Sequence, residues 1–137
     1  MSSSRCYFVS GHLDLSEDEF IKYYIPRLEE AISNGCIFVV GDARGCDSFT
    51  QEYLYIRGVA DNVVVYHMFD MPRCNKYDFE TRGGFKSDLE RDSEMTRVSD
   101  MDIAYIRGEV EQRAKYGKKY KYRVSGTQKN LDRRNKQ

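Results

Sequence analysis

Cys36-Ile-Phe-Val-Val-Gly-Asp-Ala-Arg-Gly-Cys-Asp47 is the stretch that decides the fold. Its first five residues are apolar and rich in branched and aromatic side chains, the pattern of a strand buried on both faces. Gly41 closes the run. Asp47 or Ser48 then opens a helix marked by Phe49, Tyr53 and Ile56 or Arg57 and stopped at Gly58. The same order recurs on either side. Arg5-Cys-Tyr-Phe-Val-Ser10 predicts an earlier strand ended by Gly11, and Asn62-Val-Val-Val-Tyr-His-Met-Phe69 a later one. Between the first two, Ser16 and Glu19 have the spacing of a capping box. A helix from Ser16 would put Phe20, Tyr23 or Tyr24, Leu28, Ala31 and Ile32 on one face. Pro26 should kink it, and Asn34-Gly35 should stop it. Strands alternating with helices require parallel pairing and a sheet covered on both faces.

Beyond the third strand the pattern weakens. Asp70 to Gly84 contains Pro72, Asn75 and Gly83-Gly84 without a usable period and is expected as a long loop. A helix follows from Phe85 or Lys86 to about Val98, then a weaker strand at Met101-Asp-Ile-Ala-Tyr-Ile106. Glu109 to Tyr122 is polar and lysine-rich, and Val124-Ser-Gly-Thr127 leads into a last helix from Gln128. No internal repeat is visible, and 137 residues suit one domain, 1–137.

Composition limits the function classes. Hydrophobic residues at 40% and aromatics at 13% are enough for a self-folding core. No apolar run approaches the roughly 18 residues of a membrane span, and the start of the chain is too short on apolar residues for a signal peptide, so the expectation is a soluble, cytoplasmic protein without a membrane partner. Cys6, Cys36, Cys46 and Cys74 form no C-x-x-C and the chain has two histidines, so no metal site is expected and the thiols are expected to be reduced. Net charge is zero, but residues 107–137 hold 11 Lys/Arg against 3 acids, a net of +8. That basic C-terminal segment, from about 107, can attract phosphates or nucleic acid, or serve only as a solvated end. Overall neutrality argues against a dedicated DNA-binding module.

In parallel α/β sheets ligands sit beyond the carboxyl ends of the strands. Three strand ends finishing in small or glycine residues should gather on that edge: Ser10-Gly11-His12, Gly41-Asp42-Ala43-Arg44-Gly45 and Ser125-Gly126-Thr127. Glycine lets backbone N–H groups approach an anion, and a following helix presents its positive end. Together they describe a phosphate cradle. Neither G-x-G-x-x-G nor G-x-x-x-x-G-K-[ST] is present, which weakens ordinary NAD and ATPase assignments and leaves no expected cofactor.

Gly41-Asp-Ala-Arg-Gly-Cys-Asp47 resembles the G-x-A-R-G-x-D segment of the SLOG superfamily, which includes LOG-type phosphoribohydrolases and the DNA-uptake protein DprA. Arg91-Asp-Ser-Glu-Met95 resembles the R-x-x-x-M motif of the LOG branch, and Ser125-Gly126-Thr127 the loop that closes the family's site. The matches stand in family order over residues 7–130. The resemblance implies a Rossmann-like three-layer α/β fold, a mainly parallel sheet of about 4–5 strands flanked by helices. It implies binding of a nucleotide or nucleotide derivative, with Gly41, Arg44 and Gly45 in the second-strand loop and Asp47 near the sugar or capping the next helix. Gly126 and Thr127 would take the phosphate, and Arg91 would orient phosphate or ribose. A surface helix charge is the competing account of Arg91. The family also implies a homo-oligomer.

One departure bears on chemistry. The LOG branch has a glutamate three residues after its Gly-Thr, where this chain has Asn130. Asn cannot act as a carboxylate base, so N-glycosidic hydrolysis would need Asp47, Glu52, Asp92 or Glu94, and spacing does not choose among them. His12 could contact phosphate as a cation, act as an acid–base group, or face solvent. His67 is expected to be packed in its strand. Tyr23, Tyr24, Tyr53 and Tyr55 are expected in the core or a subunit contact, with one available to stack on a base. The leading expectation is nucleotide binding with or without N-glycosidic hydrolysis. A DprA-like protein binding single-stranded nucleic acid through Arg44 and the basic segment is the second, and an interaction module with a decayed pocket the third.

Overall fold

The computed structural model describes residues 5–121 and 124–136. Five strands, β1 (Cys6–Ser10), β2 (Ile37–Val40), β3 (Val63–Met68), β4 (Glu80–Phe85) and β5 (Met101–Ala104), form one sheet in the order β4-β3-β2-β1-β5. Every neighbouring pair is parallel. Six helices are described: α1 (Glu17–Tyr23), α2 (Ile25–Ser33), α3 (Cys46–Ile56), α4 (Asp88–Val98), α5 (Glu109–Tyr116) and α6 (Gly126–Asn135). The fold is the three-layer, Rossmann-like α/β arrangement. Strand order runs outward from β1 through β4 and then returns to its other side with β5, so the reversal lies between β1 and β5.

Alternation along the strands divides the core. Val9, Phe38, Val40, Val63 and Val65 face one way and pack with Phe20, Tyr24, Leu28 and Leu54 from the first three helices. Phe8, Val39 and Tyr66 face the other way and pack on Met95 of α4. Both faces are therefore apolar, as a sheet of parallel strands requires.

Pro26 does more than kink the first helix. It stands in the first turn of a new one, α2, where its missing N–H costs nothing. The Ser16–Glu19 capping box forms as expected. Two expected boundaries move, because Ser87 and Ser125 cap α4 and α6 by accepting from the N–H groups of Glu90 and Gln128. Helix α4 thus begins at Asp88 and α6 at Gly126.

The expected loop from Asp70 to Gly84 contains all of β4 but its last residue, Phe85, itself expected to open a helix. The strand's residues are almost all exposed on the sheet edge, so they show no buried period. Gly83 belongs there because a Cβ would stand 2.1 Å from the His67 ring, which is buried as expected. The connection before β4 crosses α3 without a helix. Tyr77 stacks on Tyr55, Phe79 enters the core, and Gln51 donates to the Cys74 carbonyl.

The basic segment is folded. Tyr122 and Arg123 lie outside the described residues, but the rest includes α5 and α6. Arg134 fixes α6 to β5 and the end of α4, with its Nε 3.0 Å from Asp102 and its Nη1 2.8 Å from the Ser99 carbonyl. The Arg107 side chain, 2% exposed, binds Glu19 at 2.7 Å and Asp14 at 2.8 Å. Part of the +8 charge is therefore neutralised inside the molecule. Among the described residues, no helix is long and apolar enough to cross a membrane.

The Arg107 bonds hold the Glu19 carboxyl down at about 2, from 4.5. A depressed carboxylate stabilises the fold above its unfolded pKa, and that stability disappears as pH falls through the folded value. Glu19→Gln should therefore cost about 1.5–3 kcal/mol near neutrality, and the difference from wild type should shrink between pH 4.5 and 2. Urea unfolding at pH 7, 4 and 2.5 measures it; a difference independent of pH would contradict the assignment.

Candidate functional site

A cleft of about 270 Å³ opens at the carboxyl edge of the sheet. Ser10, Gly11 and His12 reach it from β1, Gly41 and Ala43 from β2, and Asp47 from the start of α3. Helix α4 contributes Asp88, Arg91, Asp92 and Met95, and the amino end of α6 contributes Ser125, Gly126, Thr127 and Asn130. The three glycine-containing segments do meet on one edge, beside the strand-order reversal.

The spacing of Gly41, Gly45 and Asp47 has a steric cause. A Cβ on Gly41 would stand 2.6 Å from Asp47 Oδ2, so the bare glycine makes room for that carboxylate. Gly45 has φ +73°, and a side chain there would strike the His12 and Leu13 carbonyls. The resulting turn folds Asp47 back, and its Oδ2 accepts the Ala43 N–H at 3.0 Å. Gly11 has a similar duty, since a Cβ would lie 2.3 Å from the Tyr24 hydroxyl. That hydroxyl donates to the Ser10 carbonyl and accepts the Tyr105 N–H, tying β1 to the chain after β5.

Asp42 lies behind the cleft, 1% exposed. Arg73 reaches it from the β3–β4 connection at 2.8 Å, and Arg91 from α4 at 3.1 Å. Burial pushes the Asp42 carboxyl upward, but the Arg73 hydrogen bonds and both guanidinium charges outweigh it and hold the group below its usual range. Arg91 is not a surface charge. Its side chain is 9% exposed and also meets Asp92 at 3.1 Å and Asp88 at 3.4 Å. A guanidinium so fully engaged with carboxylates positions those acids and is poorly placed to anchor a phosphate.

Asp47 and Asp92 differ from Asp42. Burial, reinforced by the charges of Asp92 and Asp42, pushes Asp47 up to about 7 against the Ala43 N–H and Arg91. Burial also raises Asp92, opposed by Arg91 and a hydrogen bond with Asn130. Asn130, at the position of the expected glutamate, thus touches a neighbouring carboxyl, and its Oδ1 accepts from Arg133 at 2.7 Å.

Two features favour a polar ligand. Ser10 Oγ is buried, lines the cleft and has no hydrogen-bond partner among the described residues. At α6 the Ser125 cap takes the Gln128 N–H, and the N–H groups of Gly126 and Thr127 belong to the first turn, which has no partner within the helix. A Cβ on Gly126 would meet nothing within 4 Å.

The other candidates lie elsewhere. Glu52 is exposed on α3, and Glu94 pairs with Arg97 at 2.6 Å; neither lines the cleft. Arg44 is exposed and faces a neighbouring cavity. Tyr23 stacks on Tyr105, Tyr24 is in the core, Tyr53 bonds Glu29 and Tyr55 stacks on Tyr77, so none reaches the cleft. His12 is buried, 9% exposed, and its Nε2 accepts the Arg107 N–H at 3.1 Å. Arg73 and Asp88 were not legible as site residues: one lies in a segment without period, the other in an acid-rich helix start. The described residues contain no group of His, Cys, Asp and Glu arranged to hold a metal ion.

Comparison with family models, with curated proteins and with solved structures finds no match in any of the three.

A carboxyl raised from 3.8 to about 7 favours the protonated folded state, so its stability contribution is fullest below the unfolded value and declines as pH rises to 7. Asp47→Asn removes that titration. Its melting temperature relative to wild type should rise from pH 4.5 to pH 8, with most of the change below pH 7. A constant difference across that range would show that Asp47 is ionised throughout.

Proposed function

We propose that this protein binds a phosphorylated nucleoside at the carboxyl edge of its sheet and hydrolyses the N-glycosidic bond. The observation that carries this reading is the pairing, in one cleft, of the buried Asp47 and half-buried Asp92 carboxyls on either side of Arg91 with the amino end of α6. Acid and anion-binding functions then lie within one ligand's reach.

The charges suggest an orientation. Asp88 and Asp92 suit donors such as ribose hydroxyls, and they disfavour a phosphate beside them. The amino end of α6, with the first-turn Gly126 and Thr127 N–H groups and Ser10 Oγ, suits the first phosphate. Water would attack C1′ as the C1′–N bond breaks. Asp47, protonated near neutral pH, would give its proton to the departing base, and Asp92 would accept the proton from water. Asn130 would position Asp92, so the carboxylate chemistry moves from α6 to α4. This is the chemistry the SLOG resemblance implies, with different residues carrying it. Internal neutralisation of Arg107 and Arg134 makes a nucleic-acid role for the basic segment the weaker account.

The test is incubation with each of the common nucleoside monophosphates and chromatography for free base. Wild type should release base from at least one. Asp47→Asn and Asp92→Asn should each slow release about 10²–10⁴-fold, the usual scale of acid–base catalysis, while binding persists. Binding without base release would leave a binding protein and refute hydrolysis.

A further inference from the structure

A second cavity of about 520 Å³ adjoins the first, and His12, Leu13 and Ser125 line both. Its charge is opposite in character. Arg44, Lys119 and Lys121 line it, and none of the three makes an ion pair among the described residues. The acids on the same wall are engaged: Asp14 binds Arg107 at 2.8 Å and accepts the Tyr116 hydroxyl, and Glu109 binds Arg113 at 2.8 Å. Arg107 is itself matched by Asp14 and Glu19. The lobe therefore has three cations without an ion pair among the described residues, beside a cleft whose own lining is rich in acid.

The amino end of α6 lies at the junction, because Ser125 belongs to both lobes while Gly126 and Thr127 line the first and Gln128 the second. A phosphate held there has a carboxylate-lined side and a cation-lined side. A chain of phosphates would be repelled toward the second.

From this juxtaposition we infer that the second lobe is a subsite for a further phosphate, and that the preferred ligand carries a diphosphate. The inference rests on the nucleotide reading of the first lobe and deepens it. A diphosphate could belong to a nucleoside diphosphate or could bridge to a second sugar, and the 520 Å³ lobe has room for either. Exposed cations contribute modestly one by one, and three acting together should give about a tenfold preference for diphosphate over monophosphate. The preference should diminish in high salt.

The experiment is calorimetric titration of the full chain with AMP, ADP and ADP-ribose, and with GMP/GDP and UMP/UDP as matched pairs. It is repeated on the exposed double variant Lys119→Ala/Lys121→Ala. The expected result is diphosphate binding about tenfold tighter than monophosphate in at least one pair, reduced to about twofold by the double variant, which keeps Arg44, with monophosphate affinity unchanged. ADP-ribose binding tighter than ADP would assign the lobe to a bridged second sugar, and ADP binding as tightly would assign it to a terminal phosphate. Equal affinity for mono- and diphosphates would overturn the subsite while leaving the nucleotide reading intact. Equal weakening of both by the double variant would also overturn it, by showing only diffuse attraction. Binding of oligo(dT) in preference to every nucleotide, lost in the double variant, would overturn it in favour of a nucleic-acid groove. Absence of binding by every nucleotide would remove the nucleotide reading and the subsite with it.

Discussion

Asp42 is a carboxylate buried to 1% exposure immediately after β2. A lone charge there would be neutralised or expelled, and it persists because two guanidiniums approach it from different parts of the chain. Arg73 belongs to the connection between β3 and β4, and Arg91 to the middle of α4. One buried anion thereby joins three segments from both faces of the sheet. It also fixes where Arg91 can be, and Arg91 in turn holds Asp88 and Asp92 at the cleft wall. Without Asp42, Arg91 would lose its innermost carboxylate partner.

The chemistry of the cleft follows from unequal compensation. Asp42 has two cations and direct Arg73 hydrogen bonds, so it is an acceptor of fixed charge. Asp47 has one backbone N–H and a shared guanidinium, and the neighbouring carboxylates work against its ionisation. Similar side chains a few residues apart are thus separated into a buried anion behind the cleft and a group in the cleft that titrates near neutrality. Gly41 permits this, since any side chain there would occupy the space of the Asp47 carboxylate.

Much of this was legible in the sequence. The apolar runs at β1, β2 and β3 mark their strands because both faces are buried, and the segments after β1 and β2 meet at one edge because parallel strands place their carboxyl ends together; Ser125-Gly126-Thr127, expected as a third strand end, follows no described strand and reaches that edge as the start of α6. Strand β4 was not legible. It lies at the sheet edge with little burial, and Gly83 answers to the His67 ring rather than to a turn. Helix α5 was hidden for a related reason: it buries no residue, so its period has no apolar face. Within the site, Arg91 and Asp47 were named from a resemblance, but their roles depend on distances. Spacing could not show that Arg91 is saturated by carboxylates, that Glu52 and Glu94 point elsewhere, or that Arg73 arrives from a stretch without pattern. Nor could a net charge of +8 reveal that Arg107 and Arg134 are matched internally while Arg44, Lys119 and Lys121 share one cavity.

On the proposed reading, the amino end of α6 and the ends of β1 and β2 form one nucleotide site. The most direct measurement is amide chemical-shift mapping by nuclear magnetic resonance during titration with AMP. Saturable shifts concentrated at Ser10, Gly11, Ala43, Gly126 and Thr127, with Arg91 side-chain signals moving at the same ligand concentration, are the predicted result. Shifts centred on the exposed edge strand β4 or spread along α5, with the Gly126 and Thr127 amides unmoved, would contradict it.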